Sequence, residues 1–308
     1  MSSINLNRKP VSFEKVKIQD AFWLLRMRAN HTHGLEAVYQ QLKKTGRLAA
    51  YDLDWEPGSD SPQPHVFWDS DVAKWIEGAC YCLINQPDAS LRERVEEVVD
   101  KILSAQGEDG YLNPHFSVVE PEQRWANLRD KHELYCAGHL IEAAIAHHRA
   151  SGDRRFLDGM MRYADLIDRV FGPRAHQKQG YPGHEELEMA LVKLYRHTGK
   201  SKFLELAAYF IDERGRVPHY FDIEARERGE DPGEYWAKSH AYTQSHLPVR
   251  EQKQVVGHAV RAMYLYSGMA DLAAEIGDET LFETLRTLWA DLTGHKLYLT
   301  GGIGPSRE

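Results

Sequence analysis

Lys131-His132-Glu133-Leu134-Tyr135-Cys136-Ala137-Gly138-His139 runs straight on into Leu140-Ile141-Glu142-Ala143-Ala144-Ile145-Ala146. The stretch opens with titratable groups and then turns apolar, as a helix does when it starts at a polar surface and ends in a core. The design returns at Gly183-His184-Glu185-Glu186-Leu187-Glu188 and at Gly257-His258-Ala259-Val260-Arg261. Each histidine-led segment predicts a helix, a turn at Gly152, Gly199 or Gly277, and a second helix opening on Phe156-Leu157, Phe203-Leu204 or Leu281-Phe282. A helix–turn–helix unit of about 45 residues means stacked hairpins.

Outward from these repeats, Phe22, Trp23, Leu25, Met27, Leu35, Val38, Tyr39 and Leu42 give a helical pattern from Asp20 to Thr45-Gly46. Residues 52–66, with Pro57, Gly58, Pro62 and Pro64, read as a long loop. A helix is expected from Asp69-Ser70-Asp71, capped by Ser70 or Asp69, with Val72, Trp75, Ile76, Ala79 and Leu83 on its apolar face. The next carries Leu91, Val95, Val98, Val99 and Ile102. A polar insertion covers about residues 215–250. Val11, Phe13, Val16 and Ile18 alternate and predict a short strand. The fold expected is all-α: an (α/α)6 barrel of helical hairpins, incomplete here, behind a short N-terminal strand. An extension over 1–19 then precedes a barrel domain at 20–308 that stops before its last hairpins.

Hydrophobic residues make up 42% of the chain and charged residues 27%, the balance of a globular protein long enough to bury a core. With 38 basic and 46 acidic residues the net charge is −8, which argues against a nucleic-acid partner. No apolar run has the length of a membrane span. Met1–Pro10 has no signal-peptide core, and Cys80, Cys82 and Cys136 are too few and odd for a disulfide framework, so a cytoplasmic protein with reduced thiols is expected.

The three leading histidines, His132, His184 and His258, are the candidate binding groups. A helix N-terminus disfavours the imidazolium, so each is expected to stay neutral, with one donor and one acceptor. That suits a ligand rich in hydroxyl groups, such as a sugar. One such histidine alone would read as a cap or a packed polar residue; three in equivalent repeat positions read as a site. His132-Glu133 starts like a His-Glu-x-x-His zinc motif, but the second histidine position is Cys136 and His139 is out of register, so no metal site is assigned. Phe67-Trp68, Tyr111, Trp125, Tyr181 and Tyr235-Trp236 sit in loops where rings either stack on sugar or enter the core. His147-His148, His31 and His33 read as solvated helix surface. Of the carboxyl groups Asp69, Asp71, Asp109, Glu133, Glu185 and Glu308, spacing singles out no pair for glycoside hydrolysis. There is neither a phosphate loop nor a Gly-x-Ser-x-Gly elbow.

Phe67-Trp68-Asp69-Ser70-Asp71-Val72-Ala73-Lys74-Trp75, Asp109-Gly110-Tyr111-Leu112, the segments at His132, His184 and His258, Pro248-Val249-Arg250-Glu251-Gln252 and Thr300-Gly301-Gly302-Ile303-Gly304 resemble, in order and over nearly the whole chain, glycoside hydrolase family 127, the bacterial β-L-arabinofuranosidase family. The resemblance implies a retaining exo-glycosidase that removes terminal arabinofuranose from an arabinofuranoside, with His132, His184 and His258 contacting the sugar. It also implies a zinc-bound cysteine nucleophile and a glutamate acid/base shortly after the Gly-Gly-Ile-Gly turn. Neither the Glu-Thr-Cys segment nor the Cys-Cys pair of the family occurs in this sequence, and Glu308 falls short of the acid/base position. No catalytic residue is therefore assigned: the acid/base and the zinc-bound cysteine are expected beyond Glu308, with zinc a cofactor of the full-length family only. The chain is expected to be inactive alone, with the missing C-terminal half or a second copy as partner. Rival readings are an (α/α)-barrel sugar epimerase or unsaturated-uronide hydrolase, and a non-catalytic carbohydrate- or partner-binding fragment.

Overall fold

The structure is a computed structural model that describes residues 11–304. Twelve α-helices occur among the described residues: α1 (Trp23–Ala29), α2 (Leu35–Lys44), α3 (Trp68–Asn85), α4 (Ala89–Ser104), α5 (Pro114–Val118), α6 (Glu133–Ser151), α7 (Arg155–Val170), α8 (Leu187–Thr198), α9 (Ser201–Glu213), α10 (Tyr220–Glu227), α11 (Ala259–Ile276) and α12 (Glu279–Asp291). The all-α class expected from the sequence is the class observed. No described helix is long and apolar enough to cross a membrane.

The hairpin turns fall at the glycines the sequence marks. Gly152, Gly199 and Gly277 have φ of 76°, 73° and 69°, the left-handed conformation that ends a helix at little cost only when no Cβ is present. Among the helices that follow turns, α12 and α4 start on side-chain caps. Asp278 Oδ1 accepts the Leu281 amide at 2.9 Å for α12, and Asp88 Oδ1 accepts the Leu91 amide at 3.0 Å for α4.

The helices divide between two compact units, one made of the chain up to Arg124 with His139–Leu166, the other of Trp125–Gly138 with the chain from Ile167 on. In the first unit, Val72, Ile76 and Ala79 of α3 and Val99 and Ile102 of α4 are fully buried, and the Trp75 indole donates to the Leu35 carbonyl at 2.9 Å. In the second, α8 packs on α9 and α11, and α11 on α12. Leu187, Ala190, Leu191 and Leu194 repeat at i, i+3, i+4 and i+7, and that stripe is buried together with Phe203 and Phe210 of α9 and Leu265 and Met269 of α11. Each Leu or Phe buried in this way contributes about 1.5–3 kcal/mol.

Several expectations fail for local reasons. The N-terminal strand does not form: Phe13–Lys15 is a 3-10 turn. Alternation alone makes no strand without a neighbour to share its amides, and here Val11, Val16 and Ile18 are exposed while Phe13 stacks edge-on against Tyr81. α3 starts at Trp68, so Asp69 and Ser70 lie inside the helix and do not cap it; Ser70 Oγ donates to the Phe67 carbonyl at 2.8 Å. His147, read as surface, is 1% exposed with its Nε2 2.9 Å from Glu96, and His31 lies 3.3 Å from Asp88.

Candidate functional site

His132, His184 and His258 all belong to the second unit and stand side by side there. The ring centroids of His132 and His184 are 5.6 Å apart, and those of His184 and His258 are 5.9 Å apart. His132 immediately precedes α6, and its carbonyl accepts the Cys136 amide at 2.9 Å. His258 is the N-cap of α11. His184 does not open its helix: α8 begins three residues later, at Leu187.

The backbone around Gly183 explains that displacement. Its amide donates to the Leu128 carbonyl at 3.0 Å, and its own carbonyl accepts Arg261 Nη1 at 2.6 Å. A Cβ at Gly183 would run into the Leu128 and Arg129 carbonyl oxygens, so the backbone there lies tight against that loop. The insertion the sequence left without a role anchors the same loop. Glu224 of α10 accepts the Leu128 and Arg129 amides at 2.6 and 3.3 Å, and Arg228 lies 3.0 Å from Glu224 and donates to the Ala126 carbonyl at 2.9 Å. At its other end, Gln244 Nε2 donates to the Val256 carbonyl at 2.8 Å, just before Gly257 at φ 73° and His258.

Hydrogen bonds fix the tautomers of two of the three imidazoles. His184 Nδ1 is 2.9 Å from the Glu185 carbonyl, which can only accept, so Nδ1 carries the proton and Nε2 is an acceptor. His258 Nδ1 accepts the Arg261 amide at 3.4 Å, so its proton sits on Nε2, a donor. Both rings are held neutral. Burial, and then the Arg261 cation, push His184 down to about 2, with His132 and His258 adding repulsion. The same two causes lower His258.

Glu185, the residue after His184, belongs to a fully buried ionic cluster. Arg214 reaches Glu185 at 2.9 Å and Glu188 at 3.0 Å and donates to the Pro182 and Thr243 carbonyls at 2.6 and 2.9 Å. Burial raises Glu185 to about 7, against the pull of Arg214 and Arg261. Glu188 also accepts the Glu186 amide at 3.1 Å, ahead of α8.

Sequence reasoning did not single out Tyr135, 4.3 Å ring to ring from His184, Tyr264, 6.0 Å from His184, or Tyr242, 5.6 Å from His258. Tyr135 carried a usable signal, one helical turn after His132. Of the loop aromatics, Tyr111, Trp125 and Tyr181 are core residues, whereas Trp236 is 55% exposed. The carboxylates are engaged in structure: Glu133 accepts the Trp125 amide at 2.8 Å, Asp109 the Tyr111 amide at 2.9 Å, and Asp71 pairs with Arg47 at 2.7 Å. Asp69 is buried, which raises it well above the usual carboxylate range. Glu308 lies outside the described residues. The described residues do not fit zinc, since no three His, Cys, Asp or Glu side chains among them gather as a metal would require. Burial pushes the Cys80 thiol up to about 12, away from the thiolate a metal binds.

An open cavity of about 1040 Å³ is lined by Tyr242 and by Gly257 and Ala259, the chain neighbours of His258, and by Trp236, Tyr298 and Ile303; none of the three histidines lines it.

The family model of the β-L-arabinofuranosidase GH127 catalytic domain matches residues 15–308. The non-reducing end β-L-arabinofuranosidase of Bifidobacterium longum subsp. longum is 36% identical over 267 residues, which are 84% of this chain and 39% of that protein. The crystal structure of a GH127 β-L-arabinofuranosidase from Geobacillus stearothermophilus T6 superposes with a TM-score of 0.91 at 45% identity, over 94% of this chain and 47% of that one. The GH127 β-arabinofuranosidase BT3674 superposes with a TM-score of 0.85 at 38% identity, over 96% of this chain and 45% of that one. The chain thus spans less than half the length of these relatives.

Proposed function

The chain belongs to the GH127 β-L-arabinofuranosidase family, and from that membership we propose that it forms the sugar-holding part of a glycoside hydrolase acting on terminal arabinofuranosyl residues. The observation that carries the proposal is the opposite tautomers of two adjacent neutral imidazoles. His184 Nε2 accepts a hydroxyl proton and His258 Nε2 donates one, so the pair matches neighbouring hydroxyls of one sugar ring. His132 completes the set. Neutral groups of this kind orient a sugar without the cost of burying a charge.

Bond cleavage belongs to groups beyond the described residues, the acid/base and the zinc-held thiolate that the family implies. Zinc would supply a thiolate nucleophile at neutral pH. The engagement of Glu133, Glu185 and Glu188 with backbone amides and Arg214 supports this division, because a general acid must be reachable by substrate. The partner in this reading is a small arabinofuranoside, and the compartment is the cytoplasm. In calorimetry, the 308-residue chain should bind methyl β-L-arabinofuranoside, and His184→Ala or His258→Ala should abolish that binding. In a hydrolysis assay it should release no arabinose; release by the purified chain would overturn the division of labour.

A further inference from the structure

The open cavity of about 1040 Å³ comes up to His258 through Tyr242, Gly257 and Ala259 and has room for more than one sugar ring. Its outer wall carries an exposed indole on a firm mount. Trp236 is 55% exposed and meets Tyr242 edge-on at 4.6 Å and 72°, while Tyr242 meets the His258 ring at 5.6 Å and 70°. The Arg261 guanidinium lies 4.7 Å from the Tyr242 ring centroid. The indole therefore stands one ring beyond the histidine site.

The loop that presents it is well anchored. Asp231 Oδ1 accepts the Gly233 amide at 2.9 Å, and the Lys238 amide donates to the Tyr235 carbonyl at 2.9 Å. Tyr235, next to Trp236, is buried with the Arg129 guanidinium 4.1 Å from its ring centroid. A large apolar ring held exposed by a buried neighbour has little freedom left for a ligand to remove.

We propose that Trp236 is the platform of a second subsite, next to the histidine site, that stacks a neutral sugar ring on the leaving-group side of an arabinofuranoside. The proposal rests on the assignment of His184 and His258 to the terminal sugar and extends it to the next ring. A neutral ring fits better than an acidic one because two of the three basic side chains of the wall, Lys296 and His295, already face the Asp291 carboxylate. Lys296 lies 3.8 Å and His295 3.3 Å from Asp291, and Lys238 Nζ donates to the Gly233 carbonyl at 3.2 Å.

Calorimetry on the 308-residue chain tests this with two probes, methyl β-L-arabinofuranoside and a β-linked arabinofuranosyl disaccharide. The disaccharide should bind more tightly. Trp236→Ala should weaken the disaccharide about three- to tenfold, the scale of one aromatic stacking contact, and leave the monosaccharide unchanged. Trp236→Tyr should keep most of the disaccharide affinity, which a general loss of folding would not. Equal affinity for the two probes, or a Trp236→Ala effect that is nil or the same on both, overturns the subsite and leaves the histidine site standing. Failure of the unaltered chain to bind either probe overturns both.

Discussion

Arg261 Nη1 donates to the Gly183 carbonyl at 2.6 Å, so the residue that follows the N-cap histidine of one helix by three positions holds the residue just before His184. The same cation is the largest cause after burial of the depressed basicity of both His184 and His258. One side chain thus fixes the position of one imidazole and the protonation state of two. In Arg261→Met both imidazoles should become more basic, because a repelling charge has gone. The proposed sugar binding, which uses the neutral rings, should then fail at a higher pH than in the unaltered chain. Histidine Cε1–H titration by NMR checks the shift directly. Arg261→Lys should recover the electrostatic part but not the bond to Gly183.

The pH dependence of stability follows from the same depression. His184 binds a proton near its ordinary 6.5 when unfolded and only near 2 when folded. The unfolded state therefore takes up protons first as pH falls through 6.5, and stability declines below that pH by at most about 1.4 kcal/mol per pH unit for this group. Urea midpoints at pH 7 and pH 5 measure the decline, and His184→Gln should shrink it. Glu185 acts with the opposite sign, because its folded value is raised to about 7. Its ionisation costs stability as pH climbs from its ordinary value of 4.5 through 7, so Glu185→Gln should flatten that part of the curve.

What could be read from the sequence, and what could not, divides along a physical line. Gly152, Gly199 and Gly277 announced their turns because a left-handed residue leaves a chemical mark. The apolar stripe of α8 was equally plain. Hidden from view were the bonds that join residues far apart in the chain. Nothing near His184 says that Glu224, on an insertion 40 residues away in sequence, holds the Leu128 and Arg129 amides on which Gly183 rests. The late start of α8 is a consequence of those long-range contacts, so local periodicity placed it three residues early. The strand at Val11–Ile18 failed in the same way, because pairing needs a neighbour that no local pattern can supply.

The insertion's structural role gives a stability test. Glu224→Gln keeps the shape but weakens two amide bonds and leaves Arg228 without its 3.0 Å carboxylate. The cost should be about 2 kcal/mol, the scale of a hydrogen bond to a charged group, read as a shifted urea midpoint. Affinity for methyl β-L-arabinofuranoside should fall as well, since the Leu128–Arg129 loop supports the segment that carries His184.

Arg214 carries a larger expectation. It is fully buried between Glu185 and Glu188, so Arg214→Met leaves Glu188 without its cation and Glu185 with only the pull of Arg261 in a dry environment. A loss of about 3–5 kcal/mol is expected, a large share of the roughly 5–15 kcal/mol that holds a protein folded. Replacing all three charges together, Arg214→Leu with Glu185→Met and Glu188→Met, should recover most of that loss, because the desolvation cost goes with the charges. Circular dichroism melts of the single and triple variants decide between them. A triple variant as unstable as Arg214→Met would mean that the ion cluster is itself stabilising.

Gly138 completes the test of the segment around which the site is built. A Cβ there would enter the space of the Glu186 carboxylate and come within 3.0 Å of Leu187 Cα, at the start of α8. Helix propensity alone favours Gly138→Ala by about 1 kcal/mol in the middle of a helix. Overpacking costs about 1–3 kcal/mol and should win, because a helix backbone cannot move aside as a flexible side chain does. The variant should therefore lose stability. His184, three residues before Leu187, should shift with the displaced helix start, so the His184 NMR signals should move and affinity for methyl β-L-arabinofuranoside should fall. Gly152→Ala is the control: nothing lies within 4 Å of its added Cβ, and its positive φ of 76° alone should cost about 1 kcal/mol without touching the three histidines. Equal effects of the two substitutions on binding would show that close packing of α6 against α8 does not position His184.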